Sequence, residues 1–128
     1  QTRVRTRRKG EAFMKVQNIV NILKAEILAE GDLQEEVKTA CGSDMMSDVL
    51  ACVTEDTLLL TGMVNSQCVR TCEMLDVPCV IFVRSKEPLA DALALAREIG
   101  LPMLKTPYTM FESCARLYTA GLKPVELG

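Results

Sequence analysis

The 128-residue sequence contains no histidine, no tryptophan and only five aromatic residues in all. Without histidine, the Ser-His-Asp and Cys-His catalytic pairs, the imidazole proton shuttle and histidine-ligated zinc sites are excluded. The phosphate-binding patterns G-x-x-x-x-G-K-[ST] and G-x-G-x-x-G are also missing. No apolar run approaches the roughly 18 residues that span a bilayer, so we expect no membrane partner. These absences favour a binding protein over an enzyme, and we predict no catalytic residues.

The six cysteines do not follow the spacing of a metal site, because no C-x2-C pair occurs. Cys68 and Cys72 are four residues apart on one helical face, and Cys79 lies within an apolar run. Free cysteine packs as a small apolar side chain, which predicts core thiols and a cytoplasmic location. We therefore expect no metal and no cofactor, although Cys41 and Cys52 are less clearly core residues and a redox or cluster-binding role for the cysteines stays open.

Charge divides the chain into a basic head and an acidic body. Residues 1–13 hold five cations and one acid, whereas residues 14–128 hold 10 basic and 16 acidic residues. We predict that the head is a leader outside the fold, disordered or added ahead of a chain that starts at Met14. A nucleic-acid-binding arm is the less favoured alternative, because an acidic body discourages such a surface.

Within residues 14–128, segments whose apolar residues recur at helical spacing alternate with short apolar runs that are typical of strands. This pattern predicts a single α/β domain with a small, mostly parallel sheet flanked by helices. Strands are predicted at residues 26–29, 37–41, 57–61, 78–83 and 102–105. Helices are predicted at residues 16–23, 45–53, 65–75, 89–99 and 109–120.

Local signals predict the helix ends. Ser43 or Asp44 is expected to cap one helix, Pro88 to occupy the first turn of another, and Gly100 to end it. The pair Thr109 and Glu112 forms a capping box. Two helical faces are predicted to be buried: Met45, Met46, Val49, Leu50 and Val53, and Met110, Phe111, Cys114, Leu117 and Tyr118.

Polar and basic residues gather where predicted strands end and helices begin. In a parallel sheet these junctions meet at one edge, where hydroxyls, backbone N–H groups and cations suit a phosphate or carboxylate. The alternative is that these residues only cap their helices. The candidate ligand-binding residues are Ser43, Asp44, Thr61, Gly62, Asn65, Arg84, Lys86, Thr106 and Thr109.

Several segments resemble one known family. Residues 43–51, SDMMSDVLA, are similar to the SDLLSDVLA segment of DRTGG domains, and residues 58–62, 80–84 and 106–112 fall where that family has similar elements. The resemblance covers residues 16–122. The namesake motif is degraded: residues 35–42 read EEVKTACG, in which Thr39 and Gly42 are its remnants. Properties that rest on the arginine or the paired glycines are therefore not expected here.

The resemblance implies a fold similar to the amino-terminal domain of HPr kinase/phosphorylase and a non-catalytic regulatory role. We expect a homodimeric module that senses a small anionic, phosphorylated effector or docks a partner protein. The alternatives are a phosphoryl- or acyl-transfer enzyme and nucleic-acid binding through the basic head.

Overall fold

Strands and helices alternate along residues 13–126, the part of the chain that the computed structural model describes. Of the predicted basic leader, all but Phe13 lies outside these described residues. The elements in chain order are β1 (Met14–Lys15), α1 (Val16–Leu23), β2 (Glu26–Ala29), β3 (Glu36–Val37), β4 (Thr39–Gly42), α2 (Met46–Cys52), β5 (Thr57–Thr61), α3 (Ser66–Met74), β6 (Val80–Phe82), α4 (Ala90–Ile99), β7 (Met103–Lys105), α5 (Met110–Thr119) and β8 (Lys123–Pro124).

Six of the strands form a mixed sheet in the order β2-β7-β6-β5-β4-β8. Its pairs are parallel except β2 with β7, which is antiparallel. From β4 to β7 each strand lies beside the preceding one, and the chain then returns across the sheet to place β8 beside β4. The predicted α/β class and mostly parallel sheet are confirmed.

Helices cover both faces of this sheet. Successive side chains of a strand point to opposite faces of the sheet. On one face, Leu59, Val80 and Phe82 pack with residues of α2, α3 and α4. On the other face, Leu58 and Ile81 pack with residues of α1 and α5. The central strands β5 and β6 are therefore buried on both sides. Their continuous apolar runs, read as two-faced burial, predicted this arrangement.

The single strand predicted at residues 37–41 is wrong. The chain turns at Lys38, where the N–H groups of Lys38 and Thr39 both donate to the carbonyl of Asp56, at 2.8 and 3.2 Å. As a result β3 leaves the main sheet and pairs antiparallel with β1, with Met14 opposite Val37. The strands predicted at residues 78–83 and 102–105 are present as the shorter β6 and β7.

The start of α4 also differs from the prediction. Pro88 does not lie in the first helical turn, because Leu89 is the N-cap and the helix begins at Ala90. The N–H of Leu89 donates to the carbonyl of Val64 at 2.9 Å, and this contact holds Leu89 in an extended conformation. The predicted end is confirmed: Gly100 adopts a left-handed conformation with φ of 73°.

Both predicted apolar helix faces are wider than the faces that are buried. On α5, Ser113 and Leu117 are buried, while Phe111 and Tyr118 are 84% and 65% exposed. On α2, only Val49 is buried. Met45 and Leu50, predicted as part of that core face, are 60% and 48% exposed. Met46, Met110 and Cys114 are partly buried against the core, so only the outer residues of each predicted face point outward.

Candidate functional site

The carboxyl ends of β4, β5, β6 and β7 lie on one edge of the sheet, which we term the carboxyl edge. The loops there are tied to neighbouring strands by the N–H groups of Ser43, Val83 and Thr106, which donate to Leu60, Thr61 and Phe82 at 3.0, 3.1 and 2.9 Å. All nine candidate residues belong to these loops or to the strand ends beside them. Parallel α/β sheets commonly bind ligands at such an edge.

Asp44 connects two of these loops instead of capping a helix. Its Oδ1 accepts hydrogen bonds from the backbone N–H of Gly62 at 2.6 Å and from Thr61 Oγ1 at 3.1 Å. The N-cap of α2 is Met45, which has no side-chain cap. Ser43 Oγ accepts from the Met45 N–H at 3.1 Å, ahead of the helix. The predicted capping by Ser43 or Asp44 is therefore wrong.

Gly62 leaves space between an acidic and a basic side chain. A Cβ atom at this position would lie 3.4 Å from both carboxylate oxygens of Asp44 and 3.6 Å from Cδ of Lys86. The Asp44 carboxylate and the aliphatic part of Lys86 therefore both approach the same glycine. Because the buried Gly62 has no side chain, these two side chains can come close together above its backbone.

Arg84 and Ser85 form a strained turn after β6. Both have left-handed φ values, 55° and 54°, which cost about 1–2 kcal/mol for each residue with a side chain. The turn is held because the N–H groups of Arg84 and Ser85 donate to the carbonyls of Tyr108 and Thr106, both at 2.8 Å. Ser85 is not among the candidate residues predicted from the sequence, because nothing in an Arg-Ser pair indicates a left-handed φ.

The two candidate cations at this edge, Arg84 and Lys86, have no counter-ion among the described residues. Within residues 13–126, neither Arg84 nor Lys86 forms an ion pair or a side-chain hydrogen bond. The nearby Lys105 differs, because it pairs with Glu87 and lies 3.8 Å from Glu26. Its hydrogen bond to Glu87 raises the pKa of Lys105. Arg84 and Lys86 are thus the cations of this edge that can receive an anionic ligand.

Other candidate residues stabilise the edge. Asn65 Oδ1 accepts from the Cys68 N–H at 3.1 Å and so caps α3 as predicted. The buried Thr106 donates from Oγ1 to the Leu23 carbonyl at 2.7 Å. Thr109 Oγ1 accepts from the Glu112 N–H at 3.2 Å, which is half of the predicted capping box. The Glu112 carboxylate itself accepts from Arg116 instead.

The six cysteines are free thiols, and three of them, Cys68, Cys72 and Cys79, are buried. Burial raises the pKa of Cys114 and, with smaller contributions from Cys52, Cys114 and Asp48, that of Cys41. A hydrogen bond with Cys72 lowers the pKa of Cys68, but burial keeps reagents from both.

Alkylation of the folded protein is therefore expected to be slow at neutral pH. Alkylation rates at Cys41 and Cys114 are followed by peptide mass spectrometry as the pH is raised. Each rate should reach half of its maximum at a pH above about 8.5, the pKa of a free thiol, because the thiolate is the reactive form. In urea all six cysteines should react as ordinary thiols. A cysteine that reacts fully at pH 7 in the folded protein would contradict this account and favour an enzyme.

An apolar groove of about 520 Å³ lies between α5 and the β4–β8 edge of the sheet. Strand β8 pairs only with Thr39 and Ala40, so the groove continues along the open end of β4. The lining residues are Ala40, Cys41, Gly42, Phe111, Cys114, Ala115, Leu117, Tyr118, Leu122, Lys123, Pro124 and Val125. None of the candidate residues predicted from the sequence lies on this surface, although the broad apolar face of α5 indicated it.

Comparison with known proteins extends these observations. The sequence profile of the DRTGG domain matches residues 18–120. Curated protein sequences give no match. One similar solved structure contains the CBS and DRTGG domains of the regulatory region of Clostridium perfringens pyrophosphatase, complexed with the activator diadenosine tetraphosphate. The TM-score is 0.68 at 15% identity, over 80% of this chain and 45% of that one.

This likeness bears on the fold alone, and the chain spans less than half of the length of that structure. Within residues 13–126, no helix is long and apolar enough to cross a membrane.

Proposed function

Because this chain belongs to the DRTGG domain family, we propose that it is a non-catalytic regulatory module that binds a small phosphorylated ligand at the carboxyl edge. The observation that carries the proposal is the strained Arg84–Ser85 turn, which leads into Lys86 beside Gly62 and leaves both basic side chains without an ion pair among residues 13–126. Backbone strain of this kind concentrates at functional sites. Phosphate oxygens form short, charge-assisted hydrogen bonds with such cations.

The non-catalytic part of the proposal rests on chemistry. The sequence has no histidine, and burial raises the pKa of the Cys41 and Cys114 thiols, so neither thiol is an activated nucleophile. We also propose a cytoplasmic location, because free cysteines packed in a core are typical of proteins in a reducing compartment. The pyrophosphatase regulatory region was crystallised with a nucleotide activator, which supports a phosphorylated ligand for this chain too.

Ligand-dependent thermal stability tests the proposal. The panel consists of tripolyphosphate, ATP, acetyl phosphate and diadenosine tetraphosphate. A ligand present at 100 times its Kd stabilises the folded state by about 2.7 kcal/mol and so raises Tm. Stabilisation by at least one phosphorylated compound, weakened by added salt, is the expected result. If no compound of the panel shifts Tm at millimolar concentration, the proposal is wrong.

A second role, docking, is favoured by the apolar groove and its two exposed aromatic residues. We propose that the partner is a second copy of this chain, because an apolar groove with an exposed aromatic residue at its side offers both halves of a self-complementary two-fold contact. Phe111 and Tyr118 are seven residues apart on α5 and therefore lie on one side of it. Exposed aromatic residues beside a pocket are typical of interface centres.

Replacement of Phe111 by serine is expected to weaken this dimer by roughly tenfold or more, because aromatic anchors at interface centres dominate affinity. Sedimentation equilibrium measures the dissociation constant. Met74→Ser is the matched control, since Met74 is 73% exposed on α3, across the sheet. A wild-type protein that stays monomeric, or a Met74→Ser variant that dissociates equally, would refute the interface.

A further inference from the structure

Only one of the two carboxylate oxygens of Asp44 is hydrogen-bonded within residues 13–126. Its Oδ1 accepts two hydrogen bonds, from the Gly62 N–H at 2.6 Å and from Thr61 Oγ1 at 3.1 Å. Its other oxygen, Oδ2, has no hydrogen-bond partner within residues 13–126, and the residue is exposed. The two bonds to Oδ1 hold the carboxylate in one orientation, so Oδ2 is a fixed acceptor at the carboxyl edge.

An acidic group at this position does not suit a ligand that is anionic throughout. Asp44 and Lys86 both lie within 4 Å of the position that a Cβ of Gly62 would occupy. A phosphate bound to Lys86 is attracted by the lysine and repelled by the nearby carboxylate. The pair is complementary to a molecule that carries an anionic group at one end and a hydrogen-bond donor next to it.

We propose that Asp44 makes the site selective for phosphorylated sugars, ribonucleotides among them, by accepting a hydrogen bond from a sugar hydroxyl at Oδ2. This inference rests on the proposed function, because it assigns the phosphate to Arg84 and Lys86. The Asp44 carboxylate and the Lys86 side chain converge at Gly62, so one ligand can contact both.

Selectivity follows from the cost of leaving a carboxylate without its donor. A ligand that lacks the hydroxyl removes water from Asp44 without replacing the lost hydrogen bond, and sites of this kind discriminate strongly. Hydrogen bonds to charged groups correspond to roughly 10- to 100-fold in affinity. Inorganic tripolyphosphate, which has no sugar, meets the repulsion of Asp44 with no compensating bond.

Three probes separate these contributions: ATP, 2′,3′-dideoxy-ATP and tripolyphosphate, with Kd measured by isothermal titration calorimetry. The full chain is used as the wild type and as the variants Asp44→Asn and Asp48→Asn. The amide oxygen introduced by Asp44→Asn can still accept from the Gly62 N–H, so the fold is retained, and urea unfolding checks this. Asp48 is an exposed acidic residue in the first turn of α2. Asp48→Asn removes the same charge as Asp44→Asn and is therefore its control.

The wild type is expected to bind ATP roughly 10- to 100-fold more tightly than dideoxy-ATP. Asp44→Asn should lose most of this ratio and bind tripolyphosphate at least as tightly as the wild type, whereas Asp48→Asn should keep the ratio. Equal binding of ATP and dideoxy-ATP by the wild type overturns the inference and leaves the proposed function standing. An unchanged ratio in Asp44→Asn also overturns it. Failure of all three probes to bind overturns the inference, and it overturns the proposed function as well if acetyl phosphate and diadenosine tetraphosphate also leave Tm unchanged.

Discussion

Replacement of Lys86 by glutamate should weaken ATP binding by roughly 10- to 100-fold, or abolish it, because the change removes a charge-assisted hydrogen bond and adds a repulsive charge. Lys86 has no ion-pair partner within the described residues, so the substitution breaks no salt bridge of the fold. Its backbone N–H donates to the Val83 carbonyl at 3.2 Å, and that bond is unaffected by the side chain. Calorimetric titration with ATP measures the loss.

Arg70→Glu is the matched control for this prediction. Arg70 is exposed on α3 and, like Lys86, has no ion pair within residues 13–126, so both variants change net charge equally. Arg70→Glu is expected to change the Kd for ATP less than twofold at physiological salt, where charges further than about 8 Å apart are screened. Equal weakening by both variants would mean that ATP responds only to net charge. Unchanged binding by Lys86→Glu would remove that residue from the site.

Replacement of Phe82 by alanine should lower the free energy of unfolding by about 3–5 kcal/mol, the usual range for a buried phenylalanine. Phe82 is fully buried at the end of β6, among residues of α2, α3 and α4. The cost combines lost burial with a cavity that the surrounding helices fill only partly. Because Thr106 donates its N–H to the Phe82 carbonyl at 2.9 Å, loosening of β6 should also weaken ligand binding.

Phe111→Ala is the control for Phe82→Ala, because the same atoms are deleted from a side chain that is 84% exposed. Urea denaturation at low protein concentration should give a change within about 0.5 kcal/mol for this variant. A loss of several kcal/mol in Phe111→Ala would restore the sequence-based prediction that this residue belongs to the core. A loss below about 1 kcal/mol in Phe82→Ala would contradict the packing described for the sheet.

Features that depend on neighbouring residues along the chain were predictable. Asn65 and Thr109 cap their helices through bonds that reach three residues ahead, and Gly100 ends α4 through its own φ. Continuous apolar runs identified β5 and β6 as strands buried on both faces. Each of these signals is local, and the corresponding prediction about the structure was confirmed.

Features that depend on distant residues were not predictable. Asp44 has good N-cap chemistry, but its partner Gly62 lies 18 residues away, and that contact determines its orientation. The order of the strands in the sheet decides which loops lie next to each other, and this order could not be predicted from a single sequence. Apolar periodicity on α5 marked Phe111 correctly as part of an apolar face. It could not distinguish the core from an exposed groove.

The two residues interpreted from the sequence as remnants of the namesake motif lie next to the proposed site. Thr39 and Gly42 are the first and last residues of β4, which leads directly into Ser43 and Asp44. Thr39 Oγ1 is hydrogen-bonded to Thr57 Oγ1 at 2.9 Å, and a Cβ at Gly42 would lie 2.7 Å from Met110 Sδ. Both remnants therefore serve packing around β4, and the polar contacts of the site come from the residues that follow.

The most direct test of the account is a map of ligand-induced shifts in the amide spectrum of the ¹⁵N-labelled protein during titration with ATP. We predict saturable shifts at the amides of Gly62, Arg84, Ser85 and Lys86, with the residues of the apolar groove unaffected. Shifts confined to that groove, or no shifts at millimolar ATP, would contradict the assignment of the carboxyl edge as a binding site for phosphorylated nucleotides.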